Sequence, residues 1–210
     1  MTTSPRRALI VIDVQQEYYD GPLAIQYPPR DKSLARILDV IDLAATQQLP
    51  IVMVRHEYPE GAPVFAAGSP GAELQADVQG RVTPTTKQIT KKYASVFADT
   101  GLAEWLQDQQ VDTVTLVGYM TNNCVIGSAA AAEPLGIAVE VLSDATGAIH
   151  LSNEAGTASA QQVHETLMAL LHSNFAAVAS TEAWTAAVTD GRALPKSDLG
   201  TSAVQGSAAH

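Results

Sequence analysis

Along the chain, short apolar runs rich in β-branched residues alternate with stretches whose apolar positions recur every three or four residues. ALIVIDV (8–14) is apolar at nearly every position and predicts a strand buried on both faces. DKSLARILDVIDLAATQQ follows, with Leu34, Ile37, Leu38 and Ile41 on one helical face and Ser33 or Asp31 available as N-cap. PIVMVRHEY (50–58) predicts the second strand, and a Gly- and Pro-rich loop, PEGAPVFAAGSPGAEL, leads to a third strand in TKQITKKY. ADTGLAEWLQDQQ predicts a capped helix burying Leu102, Trp105 and Leu106; DTVTLVGY is strand four, and CVIGSAAAA opens a helix. IAVEVLSDA is strand five, SAQQVHETLMALLHS a further helix, and FAAVAST a short sixth strand. Residues 191–210 read as a loose tail on a single domain spanning 1–190.

Strict alternation of strand and helix implies an α/β protein with a parallel sheet covered on both sides, and right-handed crossovers favour a doubly wound, Rossmann-like sheet in three αβα layers. Ligand crevices in such sheets lie outside the carboxyl ends of the strands where the winding reverses, commonly between strands one and four. Asp13 ends the first strand and Cys124 follows the fourth. Topology alone therefore places this acid near this thiol.

Composition narrows the partners. The 210 residues carry 12 Lys plus Arg against 22 Asp plus Glu, a net charge of −10. Such a surface repels nucleic acid and anionic membrane and suits a protein that handles small molecules. The opening MTTSPRRALIVIDVQ superficially has the form of an export leader, but Asp13 breaks its apolar run, and no stretch approaches transmembrane length. With a single cysteine no internal disulfide forms, which fits a reducing, cytoplasmic compartment.

A lone cysteine is most often buried filler. Cys124 sits instead at a strand-to-helix turn, where the field of the new helix favours thiolate and backbone N–H groups suit an oxyanion. Asp13 reads equally as a turn cap or as a base. Lys91 and Lys92 are ordinary solvated lysines unless something partners them. Together an acid, a cation and a thiol make a nucleophilic set, because the cation stabilises the thiolate and the carboxylate takes its proton.

Three blocks, ALIVIDVQQEYYD, KKYASVFADTGLAEWL and LVGYMTNNCVIGSAAAAEPLGIAVEVLSDATGA, resemble the signatures of the isochorismatase-like cysteine hydrolases. That group holds nicotinamidases, N-carbamoylsarcosine amidases, ureido-group amidases and isochorismatases, and the likeness runs from about Ala8 to Trp184. It implies a catalytic triad at Asp13, Lys91 and Cys124, with Lys92 the alternative cation. It further implies a cis peptide bond from Tyr119 to Met120, an oxyanion hole from the Met120 and Cys124 N–H groups, and substrate contacts at Gln15 and Tyr119, Gln15 alternatively placing the base or serving only as a turn residue. Dimers or tetramers of this chain are expected on the same ground.

Family members diverge in ways that this chain lets us read. The nicotinamidase metal site needs an aspartate and histidines after the second strand; the matching stretch here offers only His56. His150, His164, His172 and His210 stand at no ligand spacing, so neither metal nor other cofactor is expected, and His164 reads as an ordinary helix residue. Isochorismatases acting on a vinyl ether typically lack the cysteine, so Cys124 favours acyl transfer at an amide or ureido carbon, with a thiol alkylated rapidly near neutral pH. A vinyl-ether hydrolase and a non-catalytic metabolite binder or redox sensor are the alternatives. Tyr18 and Tyr19 read as pocket wall or core, Arg55 as a substrate-carboxylate partner or a surface ion pair, and Pro134 as a residue that kinks or ends its helix.

Overall fold

The computed structural model describes residues 4–210; the first three residues of the leader-like opening lie outside it. Among the described residues, six parallel strands form one sheet: β1 (Arg7–Ile12), β2 (Ile51–His56), β3 (Lys87–Lys91), β4 (Thr113–Tyr119), β5 (Ala138–Gly147) and β8 (Ala177–Ala179). Their order is β3-β2-β1-β4-β5-β8, so the winding reverses between β1 and β4, as the alternation implied. Ile10 pairs in register with Val52 on one side and Leu116 on the other.

The unbroken apolar run of β1 has a simple cause. Ala8, Ile10 and Ile12 face one core and Leu9 and Val11 the other, because side chains alternate along a strand. The first core is closed by α4 (Leu102–Asp108), α5 (Ile126–Ala132) and α6 (Ala160–Leu170) through Leu102, Leu106, Ala129 and Met168. The second is closed by α2 (Arg30–Thr46) and α7 (Thr181–Thr189), which bury Ile37, Val40, Ile41, Ala44 and Trp184. Each of the larger aliphatic side chains contributes about 1.5–3 kcal/mol by leaving water.

Several local expectations are corrected. Neither Asp31 nor Ser33 caps α2; the helix starts at Arg30, which puts Ser33 inside its first turn, where its hydroxyl meets the Arg30 carbonyl and the Tyr119 hydroxyl. Four-residue helices α1 (Glu17–Asp20) and α3 (Ala76–Gln79) and a small antiparallel hairpin, β6 (Leu151–Asn153) with β7 (Gly156–Ala158), occupy stretches to which the pattern of residues assigns no element. The tail is not uniformly loose: Asp198 caps α8 (Leu199–Ala209), accepting from the Thr201 N–H at 2.8 Å, though α8 buries none of its residues. Pro134 does end its helix early, since α5 stops at Ala132 and a 3-10 turn carries Pro134.

Candidate active site

Four adjacent strands each deliver one group to the same sheet edge. Asp13 follows the last residue of β1, and its N–H still bonds to the Val54 carbonyl at 3.0 Å. Its φ of +50° then turns the chain out of the strand direction, a conformation Asp tolerates better than most residues. His56 ends β2 and pairs in register with Lys91, which ends β3. Cys124 lies in a π-helical turn, Thr121–Val125, between β4 and α5.

Asp13 and Lys91 belong to strands with β2 between them, a backbone separation of roughly two strand spacings, about 9–10 Å. Only a long side chain bridges that gap. Lys91 does so across the end of β2: its Nζ lies 2.6 Å from Asp13 Oδ2 and donates to His56 Nδ1 at 2.9 Å, the Tyr93 carbonyl at 3.1 Å and Cys124 Sγ at 3.2 Å. Asp13 is 0 %, Lys91 1 % and Cys124 1 % exposed. Lys92, the alternative cation, is exposed to solvent.

Burial dominates the proton equilibria. It raises the Asp13 carboxyl, and the Lys91 charge offsets only part of the shift. Burial also draws the Lys91 ammonium down, but Asp13 and the thiol outweigh it, so Lys91 is held protonated more firmly than a free lysine. Cys124 is pushed up first by burial and then by the Asp13 charge, against the pull of Lys91. The expectation of a resting thiolate is thereby corrected: the turn is π-helical, and desolvation of the sulfur outweighs any helix-terminus field. Lys91 is thus held as ammonium and Cys124 as thiol, beside an Asp13 carboxyl whose proton affinity is raised.

The turn that carries the sulfur is fixed from several sides. Ser128 donates to the Cys124 carbonyl at 2.6 Å and accepts from the Val96 N–H at 3.0 Å, tying α5 to the loop after β3. The Thr121 hydroxyl meets His164 Nδ1 at 2.9 Å, while His164 Nε2 meets the Ser143 carbonyl at 3.0 Å. His164 is therefore a strut between α6, β5 and the turn that carries Cys124, not an ordinary helix residue. Gly118, with φ of +101°, is required where β4 crosses β1, because a Cβ there would run into the Ile12 carbonyl. The Tyr119–Met120 peptide bond is cis, as the resemblance implied.

Two expected substrate contacts are occupied elsewhere. The Gln15 amide donates to the His56 and Ala72 carbonyls, both at 2.8 Å, and accepts from the His56 N–H at 2.7 Å, so it clamps β2's end to the loop. Its side-chain amide is thus spent on the backbone of His56 and Ala72 and makes no bond to Asp13, which is the plain turn role. The Tyr119 hydroxyl meets Ser33 at 2.8 Å, and its ring packs edge-on against Tyr18 and Tyr19 in the second core. Tyr18 is likewise core, against Phe65 at 5.2 Å.

His56 is the residue that sequence reasoning passed over as part of this site. A strand-end position beside Asp13 and Lys91 was the available signal, hidden because its spacing was weighed only as a metal ligand. Asp13, His56 and Cys124 do present ligand atoms within 4.8 Å of one another. The Lys91 ammonium stands among all three, so these residues do not fit a metal: the cation-binding position is taken by the protein's own charge.

Residues 7–183 match the family model described as Isochorismatase domain. A secreted isochorismatase effector, Isc1, of Verticillium dahliae is 36% identical over 141 residues, covering 66% of this chain and 71% of that protein. Nicotinamidase 3 of Arabidopsis thaliana is 28% identical over 150 residues, 66% of this chain and 72% of its own. A solved structure from Burkholderia xenovorans LB400, assigned to the isochorismatases, superposes with a TM-score of 0.95 at 45% identity over 98% of both chains.

Proposed function

The chain belongs to the isochorismatase family, a family of hydrolases, and from that premise we propose that it is a cysteine hydrolase cleaving a C–N bond in a small amide or ureido substrate. The observation that carries the reading is the contact of Lys91 Nζ with both the Asp13 carboxylate and Cys124 Sγ, all three side chains being buried. A buried thiol that shares one ammonium with a buried carboxylate has a base at hand and a cation to hold the charge that proton transfer creates. Amide hydrolysis by relatives such as Nicotinamidase 3 supports the same reaction class.

In this mechanism Asp13 takes the Cys124 proton as the sulfur bonds to the substrate carbonyl carbon; the C=O π electrons move to oxygen. The Met120 and Cys124 N–H groups form the hole for that oxyanion. The raised proton affinity of Asp13 suits it to the transfer, and Lys91 stays charged throughout. Collapse of the tetrahedral adduct breaks the C–N bond, and Asp13 returns its proton to the departing nitrogen, releasing ammonia and leaving a thioester. Water, deprotonated by Asp13, then cleaves the thioester and regenerates the thiol.

The test is ammonia release from a panel of primary amides and ureido compounds, with wild type beside Cys124→Ala and Asp13→Asn. Both variants should lose all turnover while remaining folded. No ammonia release from the panel, with hydrolysis of a vinyl ether that survives in Cys124→Ala but not in Asp13→Asn, would instead identify a protonation-driven hydrolase of the vinyl-ether kind.

A further inference from the structure

His56 holds a donor that the chain itself leaves idle. An ammonium has donors only, so the 2.9 Å contact between Lys91 Nζ and His56 Nδ1 makes Nδ1 the acceptor and places the ring proton on Nε2. Burial, together with the Lys91 charge, lowers the ring's pKa to about 4, so this tautomer persists through the neutral range. The Gln15 amide fixes the backbone of His56 by holding both its N–H and its carbonyl.

Nε2 lies on the far side of the ring from Lys91. The imidazole packs against Tyr58 at 4.5 Å and Phe65 at 5.3 Å between ring centres, and His56 is 4 % exposed. Among the described residues Nε2 meets no acceptor. A buried N–H without a partner is rare and costly, and at a site of this kind it marks a place for a ligand atom.

We propose that His56 determines specificity: its Nε2–H receives a neutral acceptor, a carbonyl oxygen or an aromatic ring nitrogen, on the molecule whose amide carbon lies at Cys124. The second half of this statement rests on the amide reading above. A carboxylate does not suit the position, because the ammonium beside it is already paired with Asp13 and a further buried anion would have no cation of its own. The aromatic walls of Tyr58 and Phe65 favour a flat or apolar body around that acceptor.

The test is binding rather than turnover, so that it stands apart from the amide reading. Malonamide is compared with isovaleramide, its isostere without the second carbonyl, and nicotinamide with benzamide, by calorimetry on the Cys124→Ala protein. The member with the acceptor should bind about ten- to a hundredfold tighter, the range expected when a buried donor is left unmet by the other. In Cys124→Ala/His56→Phe the ratio should fall to about one. With His56→Gln it should partly return, since that amide offers Lys91 an acceptor and the ligand a donor. Should the Phe variant fail to fold, the imidazole Nε2–H resonance in Cys124→Ala must shift on adding malonamide and not on adding isovaleramide. Ratios near one with His56 present, a preference that survives His56→Phe, an unmoved resonance, or no binding of either acceptor-bearing probe overturns the proposal. Absence of ammonia release by the wild-type protein, with the binding ratio intact, overturns the amide reading alone.

Discussion

Lys91→Met keeps the reach of the side chain and removes its charge, leaving Asp13 as a buried carboxylate with no ammonium beside it. At 2.6 Å the pair interacts with roughly 6 kcal/mol at an effective dielectric of 20. Much of that offsets the cost of taking both ions out of water, so the pair itself adds little net stability. Removing one partner is another matter. The carboxylate's desolvation stays and its compensation goes, at about 3–5 kcal/mol, a large part of the stability of an ordinary domain. Asp13→Asn/Lys91→Met, which puts two neutral groups of similar volume in the same space, should recover much of that loss while remaining inactive, falling short of wild type by the Lys91 donor that His56 Nδ1 and the Tyr93 carbonyl no longer receive.

The assay is urea denaturation followed by circular dichroism at pH 7, with slopes compared to check that the unfolded states match. The pH dependence gives an independent check. Asp13 is already raised in the folded protein, and the loss of Lys91 raises it further, so between the unfolded value of 3.8 and the folded one the native state binds the proton more tightly. The Lys91→Met penalty should therefore be small near pH 4, grow as pH rises through the folded value, and level off above it. A single-variant cost under about 1 kcal/mol at pH 7, or a double variant as unstable as the sum of its singles, would refute the buried-pair account.

Three further outcomes follow from the same geometry. Cys124 should react slowly with iodoacetamide at neutral pH in the absence of substrate, with the rate climbing only above pH 9, since burial holds the thiol protonated; fast neutral labelling would show the resting thiolate that the structure disfavours. Gly118→Ala should cost more than about 3 kcal/mol in chemical denaturation and abolish activity, because its Cβ meets the Ile12 backbone and φ is +101°; a loss under about 1 kcal/mol would mean that β1 and β4 part easily. His56, neutral when folded down to about pH 4, is protonated below about 6.5 when unfolded, so it removes stability as pH falls through that window, about 2 kcal/mol between pH 7 and pH 5. The same titration on His56→Gln should show a correspondingly shallower acid loss, and an identical slope would place the ring in water.

How much of this was legible in the sequence depends on what each position obeys. Strand order, and hence the approach of Asp13 to Cys124, follows from alternation and handedness, which composition along the chain expresses directly. Lys91 over Lys92 was a matter of register: one residue of slip moves a side chain to the other face, and only the paired β2–β3 ladder settles which lysine turns inward. Directions beyond a strand's end were not legible. The left-handed turn at Asp13 sends Gln15 under β2 instead of toward the pocket, and nothing in the letters of that segment announces a positive φ. The α8 helix was missed because Gly200 and Gly206 lower its propensity, although Asp198 followed by Thr201 carried the cap signal.

His56 was missed for a more instructive reason. Histidine near a carboxylate and a thiol suggests a metal, and with too few ligands in sequence the residue was set aside. The structure answers with a different cation: the lysine ammonium stands among the same three side chains. That single placement has linked effects. It stands where a metal would, offsets part of the rise that burial gives the Asp13 carboxyl, lies against the sulfur, and dictates which imidazole nitrogen carries the proton. A divalent ion at the same place would draw the same Nδ1 lone pair and leave the same Nε2–H, so the lysine differs from a metal in its charge and in bringing protons of its own, not in the tautomer it selects. Whether the β3 side chain is long enough to cross β2 thus decides that an ammonium stands at the centre of this cluster, against Asp13, His56 Nδ1 and Cys124 Sγ at once.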